Sequence, residues 1–153
     1  MKNTTLCYIE KDNQYLMLHR TKKEVDENKG KWIGVGGKFE EGESPEDCLL
    51  REVYEETGLT LKTYALRGIV TFVSDAWESQ QMFLFTASEY EGELKPCEEG
   101  DLSFVPKDKI MDLELWEGDR LFLPKLFQKT GFFTMKLCYQ GDDLVESQIH
   151  EYA

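Results

Sequence analysis

The sequence predicts an α/β fold built on a mixed β-sheet with few helices. Three observations carry that prediction. Segments of strand-like composition outnumber helical ones, and they do not alternate with helices in the regular βαβ rhythm of a parallel sheet. One segment, residues 44–58, also carries both the start and the stop signals of a helix.

Taken in order, Thr5–Ile9 and Tyr15–Arg20 read as two strands joined by the turn Lys11-Asp12-Asn13. The polar run TKKEVDENKGK that follows reads as an exposed loop. Trp32–Phe39 is rich in glycine yet carries Trp, Ile, Val and Phe, which suits a short strand whose backbone approaches a neighbour closely. Ser44 is placed to cap a helix, Pro45 fits its first position, and Gly58 fits its stop. Leu66–Val73 and Met82–Ala87 read as strands across the loop SDAWESQ, and Asp101–Val105 as a further short one. Asp119–Lys129 is expected to form a second helix. Phe132–Tyr139 and Leu144–Tyr152 are expected to close the chain as a hairpin turning at Gly141-Asp142. No repeat, low-complexity tract or Pro/Gly/Ser linker divides residues 1–153, so one domain is expected.

Composition narrows the partners. The formal net charge of -12 argues against a nucleic acid polymer or an anionic membrane surface, both of which are gripped by basic faces. A small phosphorylated substrate remains compatible, because a metal ion can supply the positive charge. No stretch has the length of a signal core or a membrane span, which makes the cytoplasm the default expectation. Cys7, Cys48, Cys97 and Cys138 lack the close spacing of a zinc knuckle or redox pair, and His19 and His150 lie far apart. A zinc enzyme is not expected. Cys48 has no histidine placed to make it a nucleophile, and GVGGKF has neither the spacing nor the Ser/Thr of a P-loop.

The helix holds the most specific signal. Glu52, Glu55 and Glu56 fall within an arc of roughly 100° on a 3.6-residue helix, beside the apolar Leu49, Leu50 and Val53. Like charges at this spacing cost about 0.2–0.5 kcal/mol per pair. Clustered carboxylates suit a hard divalent cation such as Mg²⁺ or Mn²⁺, or else a solvated acidic face. The spacing around them separates the two. Gly37, Glu43, Arg51-Glu52-Val53, Glu55-Glu56 and Gly58-Leu59 fit every fixed position of the Nudix box, over residues 37–59. The chain resembles a Nudix hydrolase of the MutT type.

That resemblance implies an α/β/α sandwich in which the box forms a loop, a helix and a loop. It implies Mg²⁺-dependent hydrolysis (Mn²⁺ as a possible substitute) of a nucleoside diphosphate linked to a further group. By position, Glu52, Glu55 and Glu56 would be the catalytic and ion-holding carboxylates, with the Gly36 carbonyl and Glu99 as further oxygen ligands. Glu52 is the expected base or orienter of the attacking water, and Arg51 would pair with Glu43 to brace the loop. Arg20 and Lys38 resemble the family's basic residues facing phosphate.

The run from Leu115 onward resembles the end of the family's oxidised-purine nucleoside triphosphate pyrophosphatases. There, a Trp stacks on the base and carboxylates shortly after it bind the base's edge. Trp116 and Asp119 match those places, and Phe72 is expected to line the same pocket, whereas Trp32 is expected only to pack. Two departures stand out: Gly118 lies where that subfamily carries another carboxylate, and Ile33 where it has an Asn. The expected activity is cleavage of an oxidised purine nucleotide such as 8-oxo-dGTP to monophosphate and pyrophosphate. That would be nucleotide-pool sanitation in the service of DNA repair, by a monomer or homodimer. The alternatives are hydrolysis of an ADP-sugar, a dinucleotide or unmodified dNTPs, or a non-catalytic nucleotide sensor.

Overall fold

The computed structural model describes residues 1–128 and 131–152. One mixed sheet runs through it, built from β1 (Lys2–Lys11), β2 (Gln14–Arg20), β3 (Trp32–Ile33), β4 (Thr60–Ser74), β5 (Gln80–Glu91), β6 (Gly100–Pro106), β7 (Phe132–Gln140) and β8 (Asp143–Tyr152). The spatial order is β3-β2-β1-β5-β4-β7-β8, with β6 paired to β2. β1 lies parallel to β5 and β4 parallel to β7, while the other pairs are antiparallel. Among the described residues three helices accompany the sheet: α1 (Pro45–Thr57), the single turn α2 (Lys107–Ile110) and α3 (Asp119–Phe127). This is the mixed α/β architecture that the sequence predicts.

Several strands run longer than their apolar cores suggested, because backbone pairing continues past the last buried side chain. β4 gains six residues at its start and pairs with β5 through irregular register near Leu61–Tyr64. The β1–β2 connection is tighter than expected. Lys11 still pairs, and Asp12 and Asn13 alone make the turn with φ of 51° and 61°, the backbone of a two-residue hairpin. Trp32–Phe39 is not one strand. Only Trp32–Ile33 pairs with β2, after which Val35 and Lys38 make single bridges to Cys7 and Thr4 of β1. Glycine permits that close passage: a Cβ on Gly36 would sit 2.0 Å from the Thr5 carbonyl oxygen, and one on Gly34 2.5 Å from that of Cys7. The single turn α2 carried no sequence signal. α3 spans Asp119–Phe127, and the expected end of that helix at Lys129 lies outside the described residues.

α1 begins and ends where its caps dictate. Ser44 accepts from the Asp47 N–H, the Asp47 carboxylate accepts from the Ser44 N–H, and Gly58 closes the helix at φ 81°. Its inward side buries Cys48, Leu49 and Val53, and removal of Leu49 and Val53 from water contributes about 1.5–3 kcal/mol each. The two long helices lie on opposite faces of the sheet. Thr5 of β1 meets Cys48 of α1, whereas Tyr8, an odd number of residues further on, packs its ring edge-on against Phe122 of α3. Arg67 of β4 holds the far end of α3 down by donating to the carbonyls of Lys125, Leu126, Gln128 and Gly131.

Candidate active site

The pleat of the sheet assembles one wall of the site. Lys2, Gln80, Phe72 and Leu137 stand opposite one another in a row across β1, β5, β4 and β7. Thr4 and Met82 form the next row on the same face, since side chains alternate with period two. These residues line a cavity of about 340 Å³ together with Gly36, Gly37, Lys38, Glu52, Glu99, Arg20, Trp116, Asp119 and Tyr139.

At one end lie the box carboxylates. Arg51 donates to both oxygens of Glu43 (2.7 and 2.8 Å) and to Glu52 (2.8 Å), with Glu55 at 3.3 Å and the Lys38 carbonyl at 3.0 Å. The guanidinium thus offsets part of the carboxylate repulsion. Its hydrogen bonds, with a backbone N–H donated by Glu40, hold the Glu43 carboxyl down at about 2. Glu52 lies against Gly37, where a Cβ would come within 2.5 Å of its carboxylate, so this box glycine leaves space for that glutamate. Partial burial raises the Glu52 carboxyl despite Arg51.

Glu56 points inward. It accepts from the Gly36 N–H through Oε1 (2.7 Å), while Oε2 is buried with no donor in reach among the described residues. Glu99 faces it, and two ionised carboxylates cannot bond to each other. Burial and this neighbour push Glu56 up to about 9, so that at neutral pH it keeps a proton and shares it with Glu99. Burial opposes ionisation of Glu99 too, but the shared proton, Lys23 and Arg20 outweigh it and hold that carboxyl low. Arg20 is clamped between Asp26 (2.8 Å) and Glu99 (2.7 Å).

At the other end, Trp116 is buried yet lines the cavity. Its Nε1–H donates to Asn28 (2.8 Å), and its ring meets Phe72 and Tyr139 edge-on at 5.8 and 5.1 Å. The Lys31 ammonium lies 4.8 Å from its ring centroid. Asp119 is almost wholly buried, which lifts its carboxyl to about 7 against the pull of Lys31 and Arg120. Gly118 explains its own presence. Its N–H donates to the Tyr139 hydroxyl (2.7 Å), and a Cβ there would come within 2.4 Å of Leu137 and 2.7 Å of that hydroxyl. A carboxylate side chain at this position would require the ends of the Leu137 and Tyr139 side chains to move.

Comparison with known proteins agrees with this arrangement: residues 2–126 match the NUDIX domain family. The chain belongs to the Nudix hydrolases. It is 36% identical to the oxidized purine nucleoside triphosphate hydrolase of Danio rerio, over 80% of this chain and 79% of that one. It is 32% identical to the Nudix hydrolase YvcI of Bacillus subtilis, over 86% and 82%. Among solved structures, a MutT protein from Bacillus halodurans superposes with a TM-score of 0.87 at 29% identity, covering 97% of both chains.

Nudix hydrolases generally use divalent metal ions and act on small-molecule nucleotides. The donor set here fits such an ion: hard carboxylate oxygens, one of them buried without a donor. Among the described residues no three acidic, histidine or cysteine side chains converge closely enough to hold an ion as they stand. No helix among the described residues is long and apolar enough to cross a membrane.

Sequence reasoning brought Gly36, Lys38, Glu52, Glu99, Arg20, Phe72, Trp116 and Asp119 to what proves to be one cavity. Glu55 and Glu56 are absent from its lining: Glu55 is exposed and Glu56 is directed behind Gly36. Tyr139, Asn28, Lys31 and Lys2 were missed. Tyr139 and Lys2 had only their place in the strand registers to betray them, and Asn28 and Lys31 belong to a polar loop without periodicity.

Proposed function

We propose that this Nudix hydrolase is an Mg²⁺-dependent pyrophosphohydrolase of oxidised purine nucleoside triphosphates, 8-oxo-dGTP foremost, releasing the monophosphate and pyrophosphate. One observation carries the reading: Glu52, Glu99 and Gly36 share a single cavity of about 340 Å³ with Phe72, Trp116 and Asp119. A triphosphate directed to the carboxylates would therefore place its base among the aromatic side chains. The purine hydrolase of Danio rerio, at 36% identity, supports the same substrate class.

Glu52, Glu55, Glu56 and Glu99, with the Gly36 carbonyl, would hold the Mg²⁺ or Mn²⁺. When bound, such an ion neutralises charge on phosphoryl oxygens and acidifies water. Glu52, half-buried and poised against Gly37, would orient the attacking water or take its proton. Glu56 would surrender its shared proton as the ion enters. Arg20 spends Nε and one Nη on Asp26 and Glu99, leaving the other Nη to a phosphate oxygen, with Lys38 beside the same cavity. Trp116 and Phe72 would hold the base, and Asp119 its polar edge.

The test is turnover of 8-oxo-dGTP, dGTP and ADP-ribose, each with Mg²⁺, with the products resolved. Monophosphate and pyrophosphate, with kcat/KM clearly favouring 8-oxo-dGTP over dGTP, is the expected result. Preference for ADP-ribose, or equal use of the two guanine nucleotides, would leave the Nudix chemistry and remove this substrate.

A further inference from the structure

Tyr139 stands near the end of β7, two residues beyond Leu137 and on the same cavity-lining face. The ring is buried against Trp116 and Phe72, at centroid distances of 5.1 Å in both cases. Its hydroxyl oxygen accepts one hydrogen bond, from the Gly118 N–H at 2.7 Å. That bond fixes the oxygen and occupies an acceptor lone pair, but leaves the phenolic hydrogen to be donated. Among the described residues that hydrogen makes no bond. The side chain of Ile33, on the cavity wall, has no polar atom to take part in reading a base.

We infer that Tyr139 is a specificity-determining residue that donates its hydroxyl hydrogen to the O6 of a guanine-type base. Asp119, buried in the same cavity, completes the recognition by accepting from the base's N1–H and 2-amino group. With Asp119 ionised, the pair presents one donor and a two-oxygen acceptor. A guanine edge offers the complement, one acceptor followed by two donors. An adenine edge offers a single donor to the carboxylate, so one carboxylate oxygen would be left unmatched. Oxidation at C8 leaves this edge untouched, so Tyr139 chooses guanine and plays no part in choosing the oxidised form. The inference rests on the proposal that the cavity takes a purine nucleotide.

Tyr139→Phe keeps the ring and removes only the donor. Its kcat/KM is to be compared with that of the unaltered enzyme on dGTP, 8-oxo-dGTP and the deoxyribonucleoside triphosphate of 2-aminopurine, which lacks O6. One neutral hydrogen bond is worth about 0.5–1.5 kcal/mol, so a loss of about twofold to thirteenfold is expected on both guanine nucleotides, chiefly in KM. The 2-aminopurine nucleotide should show no loss. Equal losses on all three would mark Tyr139 as a support for Gly118 and overturn the inference, as would no loss on any. If the unaltered enzyme turns over ADP-ribose but no purine triphosphate, the substrate proposal itself fails, and that result is distinct from either outcome for Tyr139.

Discussion

The two ends of the cavity are built on opposite principles. The carboxylate end comes largely from one contiguous stretch, residues 36–56, and is a site under electrostatic tension. Arg51 spreads one positive charge over Glu43, Glu52 and Glu55, and Glu56 keeps a proton it would lack in water. The aromatic end is drawn from β4, β7, the loop before β3 and the start of α3. It is a packed site in which the Trp116 Nε1–H and the Gly118 N–H each have a partner. The difference teaches where energy is held ready. Carboxylates crowded without enough positive charge favour any incoming cation, whereas rings locked edge to edge favour one flat shape at little ordering cost.

Damage to the carboxylate end should be the more severe. Glu52→Gln is expected to lower kcat by about 10²–10⁴-fold, the range of a general base, with an unchanged circular dichroism spectrum. Full activity in that variant would remove Glu52 from the chemistry. Trp116→Ala should act mainly on KM. A stacked base is worth about 1–3 kcal/mol, so kcat/KM should fall by about five- to 150-fold, with much of it restored in Trp116→Phe. Equal loss in the Phe variant would mean that the indole serves packing through Asn28 instead.

The pH dependence of stability without metal separates the two ends more finely. Glu56 and Asp119 both have carboxyls raised above their unfolded values of about 4, to about 9 and about 7. Between the unfolded and folded values the unfolded chain has lost a proton that the folded one keeps, so stability falls as pH rises. Asp119 contributes to that fall from about pH 4 to about 7, and Glu56 from about 4 to about 9. Thermal melts in EDTA should therefore show Tm declining above pH 7 in Asp119→Asn but flattened there in Glu56→Gln. A decline of the same slope in both would break the comparison. With Mg²⁺ present the sign should turn, because an ion that displaces the Glu56 proton binds better as pH rises.

The smallest effect concerns Arg51. Arg51→Gln should lower Tm in EDTA, and Mg²⁺ should recover more of that loss than it adds to the unaltered protein, since both cations offset the same repulsion. A loss of Tm that Mg²⁺ leaves untouched would show that Arg51 acts only by bracing Glu43.

Much of the carboxylate end was legible in the sequence because its contacts are local. Arg51 and Glu43 are eight residues apart, and the caps Ser44 and Gly58 announce the helix that aligns the glutamates. A helix has one period, so a spacing along the chain is already a geometry. Trp116, Asp119 and Phe72 were placed by resemblance alone, and Tyr139 was read only as the end of a strand. Their meeting depends on the pairing of β4 with β7, more than sixty residues apart, and no local periodicity encodes it. The same holds for Arg67, whose hold on α3 spans 58 to 64 residues.

By itself, then, the amino-acid sequence determined the mixed sheet, the capped helix and the set of carboxylates that it carries. Tertiary structure alone decided which of those carboxylates lies buried, what a side chain at position 118 would meet, and which hydroxyl stands beside Trp116 and Phe72 in the cavity. Helical spacing fixes angles between neighbours, but burial, pKa and an unused hydrogen-bond donor are properties of what distant strands bring alongside.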